Sequence, residues 1–260
     1  MTWTTRPRCK RAAQAAIVAG EGPRILLLHG VGMRAEAWGG QIDALCASGF
    51  SVIAPDMPGH GASPRVHQDM NLQDYSDLAA LWLDEPTVVV GHSMGAMIAL
   101  DLAARHPDRL LGVVALNAIF RRSVTARKAV AARVAALDGR NVADPSDTLV
   151  RWFGHEPSPE RNACESWLRG CDPAGYKAAY SVFAHEDGPA VETLTGLHIP
   201  ALFLTGSEEA NSTPHMSRSM AALVPDGHAG VIDGAAHMMP MTHADAVNRQ
   251  LESFARRCQP

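Results

Sequence analysis

The 260-residue chain reads as an α/β fold: a mostly parallel, doubly wound sheet flanked by helices, with a block of helices inserted after the strand Leu110–Leu116. Three observations predict it. Apolar runs of strand length alternate with helical patterns through residues 1–119 and again through 199–260, the rhythm of parallel βαβ units. A β-branched run, Thr87-Val88-Val89-Val90, breaks into Gly91-His92-Ser93-Met94-Gly95 and passes directly into helix-forming Ala96–Ala104. Between 120 and 198 no strand-like run appears, and helical patterns are interrupted by Asp144-Pro145, Pro157-Ser158-Pro159 and Asp172-Pro173. The length suffices for one large core with such an insertion, giving a core of 1–119 plus 199–260 and a helical cap of 120–198.

The elements follow in order. Ala15–Gly20 leads through Glu21-Gly22-Pro23 into Arg24–Leu28 as a hairpin would. That continuity, with Gln14 interrupting the apolar run, argues against a cleaved targeting peptide behind Arg6, Arg8, Lys10 and Arg11. Arg24-Ile25-Leu26-Leu27-Leu28 is apolar throughout, as a central parallel strand covered on both faces must be. Trp38–Ala47 reads as a helix burying Ile42, Leu45 and Cys46, and Phe50–Ala54 as the next strand. Asp56, at that strand's end among turn residues, is expected to organise a hydrogen-bond network. A helix over Tyr75–Leu83, strands over Val88–Val90, Leu110–Leu116, Ala201–Thr205 and Ala229–Asp233, and a closing helix over Ala244–Arg256 complete the reading.

The turn at Ser93 carries the chemistry. Glycines at 91 and 95 leave room where a Cβ would clash, and the serine between strand and helix is forced into a strained conformation that holds its hydroxyl in the open. The following helix directs free backbone N–H groups and its positive dipole end to the same spot. A serine, an acid and a histidine occur in that order, each in a loop directly after a strand, with Glu208 and Glu209 both available as the acid, and in a parallel sheet those loops share one edge.

This strand-turn-helix, the His29-Gly30-Val31-Gly32 loop and the Asp56-x-Pro58-Gly59-His60-Gly61-x-Ser63 loop resemble the α/β-hydrolase superfamily over nearly the whole chain. The resemblance implies the α/β-hydrolase fold with a cap after the sixth strand. It further implies Ser93 as nucleophile, and His237 in Gly234-Ala235-x-His237 as base. The acid is placed at Glu209, where relatives usually carry aspartate; Glu208 is the next candidate, and Asn117 offers no charge. Backbone N–H groups of Val31 and Met94 would form the oxyanion hole.

In the cap, Arg151-Trp152-Phe153 and Asp172-Pro173-x-Gly175-Tyr176 resemble the enol-lactonase branch. That implies a small carboxylate-bearing ester or lactone, with Arg151 or Arg161 pairing with the carboxylate and Trp152 and Tyr176 contacting substrate. Both arginines also read as solvated surface charges. Most cap aromatics are expected to pack the cap against itself, with one or two facing the substrate. The alternatives are a carbon–carbon hydrolase of ring-cleavage diketones with the same triad, and a non-catalytic ligand-binding protein, favoured only by the glutamate at 209.

Composition narrows the partners. A net charge of −4 gives no footprint for nucleic acid or an anionic membrane surface, so a small-molecule substrate is expected, with a homodimer left open. No apolar run approaches a membrane span, and five cysteines without short metal-type spacing suggest reduced thiols in a cytoplasmic protein. His237 and His243 lack His-Glu-x-x-His spacing, and phosphate-loop and dinucleotide glycine patterns are absent, so neither metal nor cofactor is expected. His92 reads as a motif variable and His60 as a loop residue.

Overall fold

A computed structural model describes residues 3–66 and 70–259. Eight strands form one sheet: β1 (Cys9–Arg11), β2 (Gln14–Ala19), β3 (Arg24–Leu28), β4 (Ser51–Pro55), β5 (Thr87–His92), β6 (Leu110–Leu116), β7 (Ala201–Gly206) and β8 (Gly227–Ile232). Their spatial order is β1-β2-β4-β3-β5-β6-β7-β8, with the β1–β2 and β2–β4 pairings antiparallel and all others parallel. Apolar β3, β5 and β6 take the middle because their side chains need cover on both faces.

The expected hairpin between Ala15–Gly20 and Arg24–Leu28 does not form. β2 instead pairs with β1 and β4, and β4 separates it from β3. The cause is burial: β2 ends half exposed and suits a flank, whereas β3 is buried along Ile25–Leu28.

Helices α1 (Gly39–Ala47), α2 (Leu72–Ala80) and α3 (Met94–Arg105) follow β3, β4 and β5. Cys46 lies half-buried at the rim of α1 rather than in its core face. α2 starts earlier than the apolar pattern suggests because Asn71 and Asp74 form a capping box, and it ends before Leu81. Between β6 and β7 lie five helices: α4 (Val124–Ala136), α5 (Ser146–Phe153), α6 (Pro159–Arg169), α7 (Pro173–His185) and α8 (Val191–Thr195). The chain closes with α9 (Pro214–Ala221), α10 (Met239–Thr242) and α11 (Ala244–Arg257).

Two cores result, one on each face of the sheet. One joins Tyr75 of α2, Ile98 of α3 and Met220 of α9 to Leu26, Val89 and Val113; the other joins Ile42 of α1 and Leu251 of α11 to Ile25, Val88 and Val114. A smaller cluster binds the inserted helices to the strand ends through Met33, Leu149, Cys164, Leu168 and Met241. Asp56 acts as a network residue: it is fully buried and accepts from the Ala35 and Ala62 N–H groups at 2.7 and 2.8 Å and from Arg8 Nε at 3.1 Å. Nearby, insertion and core meet backbone to backbone, since a Cβ on Gly175 would fall 2.6 Å from the Gly59 carbonyl oxygen.

Candidate active site

Ser93 stands alone between the end of β5 and the start of α3, at φ 58° and ψ −118°, a region that strains any residue with a Cβ. The turn is as tight as its glycines suggest: a Cβ on Gly91 would lie 1.9 Å from the Gly95 oxygen, and one on Gly95 2.0 Å from the Leu28 oxygen. Ser93 opens into a cavity of about 290 Å³ that Val31 and His237 also line. Met94 is the first residue of α3, so its N–H has no intrahelical partner, and neither it nor the Val31 N–H donates to a described acceptor.

Glu209 lies in the loop after β7, buried, with Oε2 accepting the His237 Nδ1–H bond at 2.7 Å. Its Oε1 accepts the N–H groups of Asn211 and Ser212 at 2.7 and 3.3 Å. Burial pushes the carboxyl up, but His237 and the two loop amides outweigh it and hold the pKa at about 2. The extra methylene relative to aspartate is thus absorbed by a loop that folds around the carboxylate. Glu208 points away into solvent, and its Oε1 meets only the Ser207 hydroxyl. With Nδ1 fixed by Glu209, His237 keeps Nε2 for the cavity. Ser93 Oγ has no hydrogen-bond partner among the described residues; such contacts commonly tighten only once substrate is bound.

Two residues that sequence reasoning passed over hold His237 in place. The His237 carbonyl accepts His92 Nε2–H at 2.8 Å and Asn117 Nδ2–H at 2.7 Å, while Asn117 Oδ1 accepts the Gly206 N–H at 3.4 Å. Asn117, at φ 50°, therefore ties the end of β6 to the end of β7 and the loop after β8. The His92 ring packs 4.9 Å from that of His237, and burial, then the neighbouring His237, lower its pKa to about 3, so it remains a neutral donor. The signal was position: both residues sit at C-terminal strand ends, where the site assembles.

The inserted helices form the roof. Trp152 stacks on His237, ring centroids 5.2 Å apart at 21°. Arg151, Trp152 and Tyr176 line the cavity, and so do Tyr180 and Phe183, so four aromatics face it rather than one or two. Arg161 does not line it; the guanidinium turns along α6 to Glu165 at 3.5 Å. Arg122 and Arg133 line it instead. Arg122 is buried and spends its donors on the Phe183 and Glu186 carbonyls near the end of α7, where the helix dipole favours a cation. Which face of a helix an arginine occupies depends on what the helix packs against, which spacing alone does not reveal.

A mostly parallel eight-stranded sheet, a strained serine between β5 and α3, and a hydrogen-bonded Glu209–His237 pair on the loops beyond β7 and β8 constitute the α/β-hydrolase fold. The model of the alpha/beta hydrolase family matches residues 25–250, and the chain belongs to that family of hydrolase enzymes. It is similar to the (E)-2-((N-methylformamido)methylene)succinate hydrolase of Acinetobacter baylyi, 36% identical over 242 residues that cover 90% of this chain and 91% of the relative. A thermophilic esterase from Thermogutta terrifontis, solved with malate bound, superposes with a TM-score of 0.82 at 27% identity, covering 95% and 94% of the two chains. The enol-lactonase of Burkholderia xenovorans shares the fold, with a TM-score of 0.81 at 23% identity over 95% of this chain and 99% of its own. Among the described residues no helix is long and apolar enough to cross a membrane.

Proposed function

We propose that the protein is a serine hydrolase that cleaves the acyl bond of a small carboxylate-bearing ester or lactone through an acyl-enzyme on Ser93. One observation carries the reading: the 2.7 Å Glu209–His237 bond, made in the same cavity that Ser93 enters. Ser93 Oγ attacks the carbonyl carbon while His237 Nε2 takes the hydroxyl proton, and Glu209 stabilises the imidazolium. The oxyanion rests on the Val31 and Met94 N–H groups; losing one such donor costs on the order of 10²–10³ in rate. As the tetrahedral centre collapses, the bond to the leaving heteroatom breaks and His237 returns the proton to that atom. Water, deprotonated by His237, then attacks the acyl carbon and frees Ser93.

The Acinetobacter baylyi relative favours a second reading, hydrolysis of an N-acyl bond. Its named substrate is a succinate bearing a formamide nitrogen on a methylene carbon. An enol-lactone and such an enamide share a feature: the leaving oxygen or nitrogen is attached to a double bond, which delocalises the departing electron pair. The same residues serve both, with His237 protonating oxygen in one and nitrogen in the other.

The test is intact mass after incubation with a small fluorophosphonate, with peptide mapping of any adduct. A single adduct on Ser93, abolished by Ser93→Ala and by pre-incubation with an enol ester, is the expected result. Folded protein that takes no label would mean a ligand-binding protein without turnover. Release of formate from a formamide, set against acid from an enol ester, separates the two substrate readings.

A further inference from the structure

α4 and α5 each bring one arginine to the roof of the cavity, Arg133 and Arg151. Neither makes an ion pair with a described carboxylate, although the charge of Asp147 on α5 reaches Arg151, and no aspartate or glutamate lines the cavity among the described residues. Arg151 donates only to Thr148 Oγ1 at 3.1 Å, and Arg133 has its guanidinium carbon 5.9 Å from the Tyr180 ring and no ion pair with a described residue. Elsewhere the arginines around the core are neutralised, Arg8 by Glu36 and Asp56, Arg24 by Asp84 and Glu85, and Arg105 by Asp77 and Asp101. The two roof arginines also work against each other, since desolvation and then the charge of Arg133 lower the Arg151 pKa.

The helix that carries Arg133 is the least buried of the long ones. None of the thirteen residues of α4 is buried. A helix with no buried face draws little hydrophobic stabilisation. Two like charges on separate helices around one cavity are stabilised by an anion between them, which gains charge-assisted hydrogen bonds from both.

We infer that Arg133 and Arg151 together seat one carboxylate of the substrate, and that this bridging anion fastens α4 over the cavity. The inference rests on the cavity being the substrate site. Binding therefore precedes chemistry in a specific way: an anionic substrate closes its own roof, and a neutral ester leaves α4 loose.

The experiment uses the full chain with succinate as probe and neutral succinamide as control, read by thermal shift and by hydrogen exchange of the amides in 124–136. Succinate is expected to raise the melting temperature and slow exchange across α4, and succinamide to do neither. Arg133→Met and Arg151→Met should each weaken succinate binding about tenfold or more, the loss expected for a charged hydrogen bond, and the two lysine variants less. Wild-type protein indifferent to succinate overturns the inference, and so does undiminished binding by both methionine variants or α4 exchange that succinate leaves unchanged. No readout passes through Ser93, so a failure of fluorophosphonate labelling would sink the hydrolase reading separately.

Discussion

Helices α3 and α4 are nearly equal in length and opposite in design. α3 buries nine of its twelve residues against β5, β6 and α2, whereas α4 buries none of thirteen. The first holds a strained serine in place; the second holds an arginine that faces the cavity. A strained backbone persists only where surrounding packing over-determines it, so the reacting atoms belong on the densely packed side. A recognition surface that must admit and release a ligand belongs on the other.

The largest effect that would sharpen this contrast is chemical. Ser93→Ala is expected to lower kcat by roughly 10⁶ in a hydrolysis assay while thermal melting stays near that of the parent protein. Glu209→Gln should cost about 10⁴, because the amide cannot stabilise the imidazolium; turnover within tenfold of the parent would move the acid elsewhere. Asn117→Ala should lower kcat by about 10–10² with little change in KM, since misplacing His237 by a fraction of an ångström is enough. A raised KM with kcat unchanged would instead make Asn117 a ligand contact.

Stability should divide along the same line. Leu102→Ala in α3 removes a fully buried side chain and should cost about 2–5 kcal/mol by urea unfolding, against under about 1 kcal/mol for Val134→Ala in α4. Comparable losses would break the comparison. A separate effect concerns acid. His60 is buried, and burial followed by the neighbouring His29 lowers its pKa to about 4, below the unfolded value near 6.5. The unfolded chain then takes the proton first, so stability falls as pH drops from about 6.5 towards 4. Glu209, held at about 2, adds a loss only below about 4.5, as pH falls towards its folded value. His60→Gln should narrow the gap between urea midpoints measured at about pH 4.5 and about pH 7.5.

Most of the core was legible because its signals are local. β6 runs Leu110–Leu116 as its apolar run indicates, and the glycines around Ser93 announced a turn that only they can make. β8 was read two residues late because it is an edge strand, and its first residues, half-buried Gly227 and exposed His228, carry no apolar signal. The partner of β2 was misread because a run of apolar residues reports burial and not which strand lies alongside. The roof was half legible for the same reason. Arg151, Trp152 and Tyr176 stand in short recognisable segments, while the choice of Arg133 over Arg161 depends on how helices of similar composition rotate against the core. His92 and Asn117 act through a backbone carbonyl, a partner with no residue identity to read.

The contact between Gly59 and Gly175 sets the height of the ceiling. α7, which starts two residues before Gly175, supplies Tyr176, Tyr180 and Phe183 to the cavity, and it sits as low as it does because two bare backbones touch there. A single methyl group at position 175 would act as a shim, lifting one end of the helix away from the floor that holds Ser93. Anyone wishing to widen the range of molecules this scaffold admits could begin there.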